Sequence, residues 1–180
     1  MNEKSILRRQ VRELKRQHSD DELLHMSTSI CRKVVSSSEW KEANTVLLYK
    51  SLPDEVNTSL LLSAALTEGK KVVLPVVIDG ENMELRRYTG PDSLRKGAYG
   101  IMEPTGEEFP MSQYRFLQLA VIPGMAFDLA CHRLGRGKGY YDRLLPKLSN
   151  AHLLGICFPF QLLSEIPSED HDVRMHTVIS

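Results

Sequence analysis

The chain has few cysteines, with Cys31, Cys131 and Cys157 spread over 180 residues. They form no CxxC pair and no Cys/His cluster, which excludes a disulfide framework and a zinc site of ordinary spacing. Reduced thiols in a cytoplasmic protein are the expectation that follows. Net charge is missing too, because 23 Lys and Arg balance 23 Asp and Glu. That balance, with 7% aromatic residues, argues against a nucleic-acid partner. No apolar run approaches the ~20 residues that span a bilayer. The charged opening residues are unlike a signal peptide, so no membrane partner is expected. Repeats, low-complexity tracts and linkers are absent as well. The length suits one domain over residues 1–180.

Local charge, in contrast, is uneven. Residues 1–16 carry six Lys and Arg against two Glu, and residues 131–147 carry five against Asp142 alone. Residues 164–176 reverse the sign, with Glu165, Glu169, Asp170 and Asp172 against Arg174.

Hydrophobic spacing outlines the elements. Leu7, Val11 and Leu14 recur at helical intervals between Lys4 and Gln17. Ser19-Asp20-Asp21-Glu22 has the form of a capping box, opening a helix with Leu23, Met26, Ile30 and Val34 on one face. Thr45–Tyr49 reads as a buried strand, and Leu61, Leu62, Ala65 and Leu66 as a helix stopped by Gly69. Lys71–Ile78 is the next strand, with Pro75 expected to mark its end or an irregularity. After the turn Asp79–Asn82 comes a short strand at Glu84–Tyr88, then an extended loop over 89–114. Leu117–Pro123 is a core strand, and Leu153–Phe158 and Thr177–Ile179 are further ones. Alternating strands and helices predict a single α/β domain, a Rossmann-like three-layer sandwich whose mostly parallel central sheet is flanked by helices.

The strand Leu117–Pro123 is expected to feed straight into the glycine-rich stretch that ends Arg133-Leu134-Gly135-Arg136-Gly137-Lys138-Gly139-Tyr140-Tyr141-Asp142. Ligands of such sheets sit beyond the carboxyl ends of strands. The spacing is neither a Walker A loop, since Gly139 follows Lys138, nor a GxGxxG fingerprint. Glycines that admit backbone close to a ligand, interleaved with cations, nevertheless suit a polyphosphate. A helix is expected from Gly139, carrying Tyr140, Leu144 and Leu148 and shortened or kinked by Pro146. Its N-terminus would favour the same anion. Asp142 either complements that helix start or holds the metal accompanying the phosphates. Lys4, Arg8 and Arg12 form a row on the first helix, either solvated or facing a ligand. Glu55 lies in a strand-end turn where substrate groups are usually presented, and Asn57 or Thr58 can cap the following helix.

The run PGMAFD…RLGRGKGYYDR closely resembles the hallmark of the 5-formyltetrahydrofolate cyclo-ligase family. Weaker pieces occur in the right order: Lys4-x-x-x-Arg8, Asp54-Glu55-Val56-x-Thr58, Tyr99 before Gly100-Ile101-x-x-Pro104, and Ile166-Pro167…Asp172. The resemblance implies a C–N bond-forming ligase that uses ATP and Mg2+ to convert 5-formyltetrahydrofolate to 5,10-methenyltetrahydrofolate, acting as a monomer. It assigns ATP to Lys4, Arg8 and the stretch Arg133, Leu134, Gly135, Arg136, Gly137, Lys138, Gly139, Tyr140 and Tyr141, with Arg136 and Lys138 neutralising the transferred phosphoryl. It assigns the folate to Lys50, Glu55 and Tyr99 together with Arg136, Gly137, Lys138, Gly139 and Tyr140, and Mg2+ to Asp142 and Asp172. Three positions depart from the family pattern. Cys131 replaces the usual Gly, His176 replaces a common acid near the metal-binding Asp, and Pro146 is unusual within its helix. A small-molecule kinase using the same loop, or a non-catalytic phosphate- or RNA-binding module, are the competing readings.

Overall fold

Residues 2–97, 100–169 and 172–180 are described by a computed structural model of the chain. Asn2 caps the first helix, α1 (Glu3–Arg16), its side chain accepting from the Lys4 N–H at 3.0 Å. The buried stripe of α1 is offset from the one the spacing suggested. Val11 and Lys15 are buried, whereas Leu14 is 37% exposed and Arg12 faces solvent. The capping box forms as expected. Ser19 N–H donates to Glu22 at 2.7 Å and Glu22 N–H donates back to Ser19 Oγ, starting α2 (Asp20–Ser36). The short α3 (Ser38–Glu42) buries Trp40, and the chain then enters β1 (Thr45–Leu47). Next comes α4 (Ser59–Thr67), closed by Gly69 at φ +72°. Thr58, at its start, instead turns its hydroxyl to the Tyr49 carbonyl, and Asn57 accepts from Ser59 N–H.

The strand β2 (Lys71–Val77) runs through Pro75 rather than ending there. The Val73 carbonyl accepts from Leu48 N–H, so Val73 and Pro75 both direct their backbone polar groups toward the β1 side. β1 pairs with β2 only over Lys71–Val73, so no neighbour there needs an N–H from Pro75. On the other side β2 pairs antiparallel with β3 (Met83–Tyr88) across the Asp79–Asn82 turn. The segment expected as one loop over 89–114 carries β4 (Leu94–Lys96), β5 (Met102–Pro104) and β6 (Glu108–Phe109), with a 3-10 turn at Met111–Phe116. These strands are two or three residues long, too short for a periodic signal.

A second departure follows β7 (Leu119–Pro123). Instead of feeding the glycine run directly, the chain makes a hairpin of β8 (Ala126–Asp128) and β9 (Arg133–Leu134). Cys131 sits in its turn at φ +64°, the left-handed conformation natural to glycine. The turn is held by Asp128, whose buried carboxylate accepts from the N–H groups of Ala130, His132 and Ile166 and from His132 Nδ1. The Phe127 ring packs against Gly155, where a Cβ would stand 2.5 Å from the ring.

After the glycine run, α5 (Tyr140–Leu144) spans five residues and passes into a 3-10 turn at Pro146. The remaining strands are β10 (His152–Ile156), β11 (Leu162–Leu163), paired with β8, and β12 (Thr177–Ile179). The central sheet has the order β12-β10-β7-β1-β2-β3-β6, parallel from β12 to β2 and antiparallel beyond. Successive residues bury opposite faces. Val46, Val72, Val121 and Leu154 meet the side covered by α2, α3 and α4, while Leu47, Val73, Ile122 and Leu153 meet α5 and Tyr114. Both faces of the parallel part are therefore covered, as such a sheet requires.

Candidate active site

From β1 the chain proceeds to β2 on one side, and the later strands β7, β10 and β12 lie on the other. The carboxyl ends of β1 and β7 thus flank the point where the strand order reverses, the usual crevice in open α/β sheets. A cavity of about 320 Å³ opens there. Its floor is apolar, from Tyr49, Leu74, Pro75, Val77 and Met83, and Ile101 and Met102 form one wall. Lys50 and Glu55, from the chain after β1, line it too, as does the glycine loop with Arg136, Lys138 and Tyr140. Tyr99 lies outside the described residues.

The loop takes its shape from two residues with positive φ, Gly137 at +104° and Gly139 at +71°. It is fastened at both ends. Arg8 of α1 donates from Nε to the Gly135 carbonyl at 2.8 Å. Tyr140 donates from its hydroxyl to the Asp79 carbonyl at 3.1 Å, and Arg143 donates from Nε to the Glu81 carbonyl at 2.6 Å. The β2–β3 turn thus anchors the start of α5, a contact that no motif announced. Because α5 has just five residues, its aligned dipoles are few. Anion attraction must come mainly from the cationic side chains.

Those cations differ in their commitments. Arg133 is nearly buried, paired with Asp142 at 2.5 Å, and its guanidinium also reaches the Pro123 carbonyl and the Tyr141 ring. Leu134 is buried in the small core beneath α1 with Val11 and Ile166. Tyr141 is partly buried beside Arg133, and desolvation together with the Glu55 charge pushes its phenol far above its ordinary pKa. Arg136 is half-exposed and spans the cavity mouth. It reaches Asp54 at 2.6 Å and Glu55 at 3.1 Å. Glu55 in turn accepts from Leu52 N–H through its other oxygen. Burial alone would raise the Asp54 carboxyl, but Arg136 and Lys15 outweigh it and hold the group below the usual range.

Lys15 is the residue the sequence reading passed over. Its ammonium donates to the Asp54 carbonyl and stands 3.5 Å from the Asp54 carboxylate. The available signal was a lysine four residues after Val11, on the stripe facing the core. Lys4, expected at the phosphates, instead meets Asp172 at 3.2 Å and Glu169 at 3.6 Å. Among the described residues no three His, Cys, Asp or Glu side chains converge as a ready metal cage. Mg2+ needs less than that, since it keeps several waters and takes one or two carboxylates plus phosphate oxygens. Asp142, half-exposed at the cavity beside the loop, fits that chemistry. Asp172 is held by Lys4 and is outside the cavity lining among the described residues.

His176 turns out to serve the opposite end of the sheet. Its Nδ1 accepts from Leu153 N–H at 2.8 Å, at the start of β10, so it is no neighbour of a metal at the strand carboxyl ends. Cys31 and Cys157 are buried and offer no ready nucleophile. Burial pushes the thiols of Cys31 and Cys157 up to about 11 and about 12. Among the described residues no helix is long and apolar enough to cross a membrane.

Comparison with known proteins is consistent across sequence and structure. The profile of the 5-formyltetrahydrofolate cyclo-ligase family matches residues 1–180. A probable 5-formyltetrahydrofolate cyclo-ligase of Schizosaccharomyces pombe is 36% identical over 169 residues, covering 86% of this chain and 83% of that protein. The 5-formyltetrahydrofolate cyclo-ligase of Mus musculus is 28% identical, covering 96% and 91%. The solution structure of Aquifex aeolicus 5,10-methenyltetrahydrofolate synthetase superposes with a TM-score of 0.84 at 33% identity, over 98% of this chain and 88% of that one.

Proposed function

The chain belongs to the 5-formyltetrahydrofolate cyclo-ligase family, and from that premise we propose that it converts 5-formyltetrahydrofolate to 5,10-methenyltetrahydrofolate at the expense of ATP. The γ-phosphoryl group passes to the formyl oxygen, which makes that carbon an electrophile with a phosphate leaving group. N10 attacks the carbon, loses its proton, and the C–O bond breaks to release phosphate beside ADP. Positioning and charge neutralisation carry most of such a phosphoryl transfer. No protein nucleophile is required.

The observation that supports this reading best is a single cavity that brings two chemistries together. Apolar floor residues and Glu55 suit a pterin ring, while Arg136, Lys138 and the glycine backbone suit phosphates. Arg136 and Lys138 are assigned to the transferred phosphoryl, where fixed positive charge stabilises the transition state. Arg8 orders the loop by its bond to Gly135, and Lys50 lines the folate side. Mg2+, when bound, lowers the charge on the phosphates. Asp142 is the carboxylate we assign to it first, with Asp172 joining when Lys4 turns from Asp172 to the nucleotide. One copy of the chain supplies all of these residues, so a monomer suffices.

The direct test is to mix the purified protein with 5-formyltetrahydrofolate and Mg-ATP. The near-ultraviolet absorbance of the methenyl product should grow in step with ADP. ATP consumption without that absorbance would sink the ring-closure reading.

A further inference from the structure

Arg136 has to serve two masters. It is tied to Asp54 at 2.6 Å and Glu55 at 3.1 Å, yet the chemistry proposed above needs its guanidinium at the phosphates. An arginine shared with two carboxylates leaves them only if their charge is otherwise satisfied. Glu55 keeps one such partner, because its second oxygen accepts from Leu52 N–H at 2.9 Å. For Asp54 the remaining cation is Lys15, from the buried stripe of α1, whose ammonium meets both the carbonyl and the carboxylate of that residue.

We propose that Lys15 is a positioning residue for the reaction: it neutralises Asp54 from beneath the turn, so that Arg136 can be released from Asp54 to the nucleotide phosphates. The proposal rests on the assignment of Arg136 to the phosphates. The charges in contact are two cations, Lys15 and Arg136, against two carboxylates, Asp54 and Glu55. Removing Lys15 leaves two negative charges with one positive partner, and Arg136 is then retained by the protein at the expense of the nucleotide. α1 also holds the loop itself through Arg8 and Gly135, so one helix face sets both sides of the cavity mouth.

The test reads initial rates against ATP concentration at saturating 5-formyltetrahydrofolate. Lys15→Met should raise KM for ATP about tenfold while kcat changes less, as a lost charge partner of ordinary strength would. Lys15→Arg, which keeps the charge, should stay near wild type. Asp54→Asn alone should lower KM for ATP, because Arg136 loses its competing acceptor. In the double variant Lys15→Met/Asp54→Asn, KM should return toward the wild-type value. A role confined to bracing the turn would give no such rescue.

The proposal is overturned if Lys15→Met leaves KM unchanged, or if the double variant is as impaired as Lys15→Met. Should Lys15→Met fail to fold, a raised KM in Asp54→Asn overturns it by itself. Failure of the premise looks different. In that case the wild-type protein forms no methenyl product, or Arg136→Ala keeps the wild-type KM for ATP.

Discussion

The two ends of the central sheet are built on opposite principles. At the carboxyl ends of β1 and β7, charged side chains share partners, the half-exposed Arg136 and Asp54 with the more buried Glu55 and Lys15. Arg136 bridges two carboxylates, and Asp54 is divided between Arg136 and Lys15. At the amino end of β10, polar groups are committed pairwise. His176 accepts from the Leu153 amide, and His152 pairs with the Thr177 hydroxyl at 2.9 Å. Shared partners can be exchanged for a ligand at little cost, whereas groups with one partner each fasten strands together. The same sheet thus carries an adaptable end and a fixed end.

The largest effect that would break this contrast belongs at the adaptable end. Arg136→Ala or Lys138→Ala should lower kcat by about 10²–10³-fold, the scale of losing one transition-state donor. Thermal midpoints should barely move, since the pairs of Arg136 are half-exposed. Wild-type turnover in Lys138→Ala would remove that residue from the chemistry. Next in size is Gly155→Ala in the body of β10. The added methyl meets the Phe127 ring at 2.5 Å, and overpacking of this kind costs about 1–3 kcal/mol. Urea unfolding checks it, and unchanged stability would mean that the β8–β9 hairpin yields easily.

A smaller effect is expected at Cys131. Cys131→Gly should stabilise by at most about 1 kcal/mol through relief of the left-handed backbone, less what glycine adds to the freedom of the unfolded chain. A lower thermal midpoint would show that Cys131 packing outweighs its backbone cost. The finest test sharpens the fixed end. Burial, reinforced by neighbouring His176 and opposed by Glu39, depresses the pKa of His152. Its folded pKa lies below the unfolded one, so the unfolded chain binds the proton more readily. The stability it contributes is present above about pH 6.5 and lost as pH falls below that value. His152→Gln should flatten the acid side of the thermal-midpoint profile, and an unaltered profile would clear His152 of the effect.

Much of this was legible in the sequence, and the gaps have physical causes. The capping box at Ser19 and the β1, β2, β7 and β10 cores are local features, written in a few adjacent residues, whereas the left-handed turn at Cys131 was signalled only by the glycine usual there in the family. Pro75 within β2 depends on where β1 stops, which is a fact about another strand. The β8–β9 hairpin is invisible because its strands are two and three residues long and one turn carboxylate, Asp128, organises it. Lys15 was missed because a stripe drawn through Leu14 treats lysine as solvent-facing. In the fold that stripe rotates toward Lys15, whose partner lies 39 residues away in the Asp54 turn. The glycine run, Lys50 and Glu55, each named from the sequence, line one cavity. Lys15, supplied across the fold, was not named.

The face of α1 that reaches the site has a consequence for how the protein comes into being. Lys4, Arg8 and Lys15 meet partners separated from them by 168, 127 and 39 residues. α1 is therefore among the last elements to find its full set of contacts. Contacts of such separation close slowly, because the intervening chain must be ordered first. This helix acts as the final fastening of the cavity as the chain folds.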